Sequence, residues 1–242
     1  MLNDTAELFR RMLQTRLFRT LVCIDITLIA LYLLSYLLVN RGILAEIPNA
    51  FQLARERSVP EYLSYAKWAF SALALAWCCA KTRQIHFGAL ALIFAIVAAD
   101  DAFLFHETYG WVVAEKLNIP FAFAMDPKEI GESIVFCLLG ALALLLLAIA
   151  FATSDRAGKV LVCAILLTIL GLGVTGVLFD AFHHMSAEVG TPRFRRLLVL
   201  FFTVIEDGGE TILGSVILGL SVLCLLDTRT RERAAARVPV RR

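Results

Sequence analysis

Three stretches of this sequence place ionisable side chains in otherwise apolar runs. Asp100-Asp101 and His106-Glu107 close a run that begins near Phe87. Asp180, His183 and His184 end a second run, and Glu206, Asp207 and Glu210 lie inside a third. A charge near the middle of a bilayer costs on the order of 2.5–3.5 kcal/mol even on the mildest scale, so such groups usually mark functional sites. Helical spacing puts several of them on shared faces. Asp100 and Glu107 lie on one face, Asp180, His183 and His184 fall at i, i+3 and i+4, and Glu206 and Glu210 at i, i+4; Glu129 and Glu132 add an i, i+3 pair. Asp101 and Asp207 point away from these faces.

Carboxylates and imidazoles that converge between helices are the donors of metal sites in helical bundles. Asp180-x-x-His183 is a shortened analogue of the Glu-x-x-His pairs of di-metal bundles. Oxygen and imidazole donors suit Zn, Mn or Fe(II), and no thiolate stands near the set. The expected ligands of one or two divalent ions are Asp100, His106, Asp180, His183, His184, Glu206 and Glu210. Glu107 and Glu210 are the expected general bases toward a metal-bound water. A bound cation also answers an electrostatic problem, because several acids in one low-dielectric slab cannot all remain ionised alone.

These residues need elements to hold them, and composition says which. The chain has 242 residues, of which 60% are hydrophobic, and a mean hydropathy of +0.77. That exceeds the apolar share of soluble domains, and runs of about 20 apolar residues are transmembrane helices. The reading is an all-α integral membrane protein, a bundle of six transmembrane helices over about 20–39, 62–80, 85–107, 129–152, 160–184 and 195–226. Residues 1–19 form an amphipathic arm on the membrane surface, 20–226 the transmembrane domain, and 227–242 a basic tail, disordered at its end. The aromatic connection 108–128 is a candidate lid or interfacial segment. The six cysteines read as small buried apolar residues, and His86 as an interface residue. Asp25 reads as a helix-packing or first-turn acid.

Six spans leave both termini on one side. That side collects 14 of the 23 Lys and Arg residues, which places the termini in the cytoplasm. The acids then gather in the opposite leaflet. The function expected is a metal-dependent membrane enzyme acting on a lipid or other hydrophobic substrate, hydrolytic or oxidative, in a bacterial inner membrane, with membrane lipid and no nucleic acid as partner. The alternatives are a divalent-cation or proton transporter, and a metal-stabilised structural or sensory protein. A transport path should continue across the membrane, and only Asp25 carries charge in the inner half.

Overall fold

The computed structural model describes residues 1–122, 126–179 and 191–236. Among them the architecture is helical throughout. The helices are α1 (Leu2–Leu13), α2 (Arg16–Asn40), α3 (Val59–Thr82), α4 (Ile85–Phe103), α5 (Phe105–Leu117), α6 (Pro127–Thr153), α7 (Arg156–Gly173) and α8 (Pro192–Ala236). A π-helical turn, Val174–Phe179, continues α7.

Local chemistry sets many of the ends. The Thr15 hydroxyl accepts from the Phe18 amide at 3.2 Å to start α2, and Asp155 accepts from the Gly158 amide at 2.7 Å to start α7. Side-chain oxygens satisfy first-turn amides that have no partner within the helix. Before α6, Glu129 reaches back to accept the Asp126 amide at 2.8 Å, with Pro127 fitting the first turn. α3 ends where Arg83 takes a left-handed conformation, φ 59°.

Five helices are long and apolar enough to cross a membrane: α2, α4, α6, α7 with the start of its π turn, and α8. The 24-residue α3 is not among them. Its first half carries Glu61 and Lys67, and it packs chiefly against α4 and α8. α8 is the hub, touching α1, α2, α3 and α7, while α5 packs along α6. The shared core includes Leu75, Leu90, Phe94, Ile165, Ile217 and Leu220.

Several boundaries differ from the sequence expectation. The expected third span does not run unbroken to Glu107, because Leu104 adopts φ 53° and separates α4 from α5. Part of the 108–128 connection is helix, and α5 crosses α6 so closely that a Cβ at Gly131 would overlap the Gly110 carbonyl. The expected fifth span leaves α-geometry after Gly173. The last helix passes 226 and ends at Ala236, so the first part of the expected tail is ordered helix.

α1 is packed onto the bundle. Met12 is only 1% exposed and belongs to the core, and α1 packs on α7 and α8. Arg11 pairs with Asp227 at 2.8 Å, Arg156 with Asp4 at 2.9 Å and Lys81 with Glu232 at 3.7 Å. These pairs gather α1, the α3–α4 turn, the start of α7 and the end of α8 at one end of the bundle. His86 is buried at that end. Cys23 and Cys137 are exposed, contrary to the buried expectation, and all six cysteines are free thiols.

Candidate functional site

The opposite end of the bundle holds a cavity of about 450 Å³. Its walls come from the α2–α3 connection, α3, the α4–α5 junction, α6, the π turn and α8. Among the described residues eight carboxylates line it: Glu56, Glu61, Asp101, Glu107, Glu132, Glu206, Asp207 and Glu210. Arg55 and Lys128 are the only Lys or Arg residues among the described residues that line it, and His106 and Tyr65 are also exposed to it.

The α4–α5 junction positions the histidine. Asp100, 4% exposed, accepts the His106 backbone amide at 2.9 Å through Oδ1, and its Oδ2 lies 3.0 Å from His106 Nδ1. One carboxylate thus serves the start of α5 and orients the imidazole. The ring stacks on Phe136 of α6 at 4.6 Å between centroids. Burial pulls the His106 pKa down, but the hydrogen bond and charge of Asp100 outweigh it and leave the imidazole above its ordinary value.

The acids are not equivalent. Lys128 bridges Glu107 of α5 at 3.2 Å and Glu132 of its own helix at 3.0 Å. Glu61 accepts from the Tyr65 hydroxyl and the Arg57 amide. Glu56 is held above the usual carboxylate range, first by its hydrogen bond with Glu107 and then by burial. The Glu210 carboxylate lies against Gly176 of the π turn, where any Cβ would overlap it. π turns are often found at functional sites.

Glu206, Glu210, His106 and Glu107 therefore meet around one cavity. Asp100 is turned to His106 and does not line the cavity, whereas Asp101 and Asp207, expected to point elsewhere, do. Asp180, His183 and His184 lie outside the described residues. Among the described residues, no three His, Cys, Asp or Glu side chains stand close enough to hold one metal ion. Asp100 and His106 engage each other and Glu107 engages Lys128, so these residues do not form a ready coordination shell.

A second polar group lies directly beneath. Lys67 of α3 and Asp25 of α2 are 1% and 0% exposed. Lys67 Nζ donates to Asp25 Oδ1 at 2.7 Å and to the Thr211 carbonyl of α8 at 2.8 Å. Ser215 donates to Asp25 Oδ2 at 2.5 Å. Thr211 also lines the cavity, and its hydroxyl lies 3.4 Å from that of Ser64. The sequence reading put Asp25 alone in the inner half and did not pair it with Lys67. The available signal was their opposite charge, each inside an apolar segment, where an unpaired charge is costly.

A family model matches residues 20–226, a segment that contains every residue lining the cavity and both members of the Lys67–Asp25 pair. The chain belongs to the DUF8692 family, a domain of unknown function. The DUF8692 segment excludes α1 and the last turns of α8, so the three ion pairs at the other end each have at least one partner outside it. No curated protein and no solved structure matches the chain.

Proposed function

We propose that this chain is an integral membrane enzyme acting on a lipid or other hydrophobic substrate from one face of the bilayer. In this reading α3 is a sixth span, shielded by α4 and α8. Both termini are cytoplasmic, and the cavity faces the extracytoplasmic side of a bacterial inner membrane. The basic residues around the terminal end, among them Arg10, Arg16, Arg19, Arg83 and Arg229, support that orientation.

The observation that carries the proposal is the doubly bonded Asp100–His106 pair at the edge of an acid-lined cavity. Asp100 favours the proton on Nδ1, which leaves Nε2 to accept one from a water or a substrate hydroxyl. His106 is then the group that moves the proton, and its oriented ring favours a hydrolytic step over an oxidative one. The eight carboxylates favour a positively charged ligand. A divalent ion such as zinc, iron or manganese enters this reading as counter-charge drawn by Glu206 and Glu210, not as the occupant of a ready-made cage. Glu107, tied to Lys128, holds charge rather than acting as the base.

The floor of the cavity favours a one-sided site over transport. Polar groups continue from Thr211 through Lys67 to Asp25 and Ser215, and beyond them the packed core is largely apolar, with the Ser71 and Ser221 hydroxyls bonded back to their own helices. Leu75, Ile217, Leu220, Met12 and Phe18 fill it. A permeation path would have to cross that packed layer.

The test is to hold the full chain in lipid nanodiscs, supply lipid extracts with and without Mn²⁺, and read products by mass spectrometry. A lipid product that requires the chain supports the proposal. No product from any lipid class, with or without the ion, overturns it.

A further inference from the structure

We infer that Lys67 and Asp25 form a positioning pair that sets the height and rotation of α8, and through it aims Glu206 and Glu210 into the acid-lined cavity. The inference deepens the proposed function and rests on it for the role of those two acids.

The pair touches α8 at two points one turn apart, the Thr211 carbonyl and the Ser215 hydroxyl. Those bonds join α8 to α3 and α2 at once. Apolar packing alone resists sliding weakly, because one aliphatic contact can replace another; a hydrogen-bonded charge pair has one geometry in which its groups are satisfied. The helix surface is also shaped for the lysine. A Cβ at Gly214 would stand 3.3 Å from Lys67 Cδ and 3.4 Å from the Trp68 ring, so this glycine gives the lysine stem its room. Ser71, one turn beyond Lys67, donates to the Lys67 carbonyl at 2.7 Å and leaves the ammonium to its other partners.

The fixed point is close to what it positions. Glu210 precedes Thr211 directly, and Glu206 lies one turn further toward the cavity end. A rotation of α8 by one residue, about 100°, would turn both acids off the cavity wall in one sense, and in the other would move Glu206 to the place of Asp207 and Glu210 to that of Thr211. Gly208 and Gly209 sit between them, packed against Ile29 of α2 and Thr175 of the π turn. The Lys67–Asp25 pair adds hydrogen bonds of fixed geometry to that close packing. The pair therefore acts on the cavity through α8 and touches no ligand itself.

The test compares the wild-type chain with Lys67→Met, Asp25→Asn and the double variant Lys67→Met/Asp25→Leu, all as full chains in nanodiscs. Each single change strands a buried partner and is expected to lower the melting temperature. The double change removes both charges and is expected to recover most of that loss. The double variant is then measured in two ways. One is Co²⁺ binding to the cavity, read by titration and by the visible absorption of the bound ion. The expected result is affinity about tenfold weaker, as when a supporting group around a metal is lost, with an altered spectrum.

The other readout is independent of any ligand. Disulfide formation between Ile29→Cys and Gly208→Cys, in a background without the native cysteines, reports the register of α8 against α2. It is expected to fall in the double variant. Cross-linking at the wild-type rate overturns the positioning role, as does wild-type Co²⁺ affinity with an unchanged spectrum. If the wild-type chain binds no Co²⁺, the cation role of the cavity fails, and the cross-linking result still decides the positioning claim.

Discussion

Asp100 and His106 are joined twice, once through the backbone amide at 2.9 Å and once through Nδ1 at 3.0 Å. The break at Leu104 makes this possible. In a continuous helix residues six apart lie on different sides, but the left-handed Leu104 turns the start of α5 back over the last turn of α4. A left-handed leucine is a strained conformation, and such strain persists where surrounding bonds hold it.

Asp100→Asn should release His106. The imidazole pKa is expected to fall from its raised position, because the charge that lifted it is gone while burial remains. NMR titration of a histidine-labelled chain checks this. The start of α5 keeps a weaker side-chain acceptor, so the stability loss should be about 1 kcal/mol, the scale of a helix cap. An unchanged His106 titration would mean that the pair is incidental.

The pH dependence of stability comes from two raised groups at the cavity end. His106 is raised by Asp100 and Glu56 by its bond with Glu107. A group whose folded pKa lies above its unfolded value stabilises the fold in full below the unfolded pKa. That contribution is lost as pH rises through the folded pKa. The His106 contribution should therefore be complete below about pH 6.5, the ordinary imidazole value, and fade above it. The Glu56 contribution should fade from just above the ordinary carboxylate range. Hydrogen exchange of α5 amides across pH 5–9 is expected to show faster opening at the alkaline end, and His106→Gln should flatten the upper part of that trend.

Glycine substitutions separate packing from the site. Gly131→Ala drives a Cβ into the Gly110 carbonyl and should cost on the order of 1–3 kcal/mol, as overpacking does. Gly176→Ala meets the movable end of Glu210 instead, so the fold should survive while cation affinity at the cavity changes. Gly140 has nothing within 4 Å of an added Cβ and lies inside α6. Gly140→Ala should be neutral or stabilise by up to about 1 kcal/mol through helix propensity. Thermal unfolding in detergent checks the stability of all three, and Co²⁺ titration checks the affinity change in Gly176→Ala.

The ion pairs at the terminal end should matter little one at a time. Arg11, Arg156 and their partners are largely solvent-exposed, and exposed pairs contribute roughly 0–1 kcal/mol. Arg11→Ala should shift the melting point slightly, and the shift should shrink further in high salt.

Much of this was legible in the sequence because the cost of burying charge leaves a one-dimensional trace. Apolar runs located the long helices but not α5, and interrupting acids in the runs ending at Glu107 and containing Glu210 marked segments that share the cavity. Helical periodicity could not assign Asp100 and Asp101, because it presumes one uninterrupted helix, whereas the turn at Leu104 re-aims α5. Lys67 and Asp25 were unreadable as a pair because their meeting depends on the relative height of two helices 42 residues apart in sequence. The Gly110–Gly131 crossing left no signal for a similar reason, since it depends on α5 folding along α6 rather than on either segment alone.

The most direct test of the central claim is the rate of lipid conversion by nanodisc-held chain carrying His106→Gln, compared with wild type at equal folded concentration. A proton-transferring histidine predicts a rate lower by about 10²–10⁴-fold with the fold intact. Conversion at the wild-type rate by the glutamine variant would contradict the account.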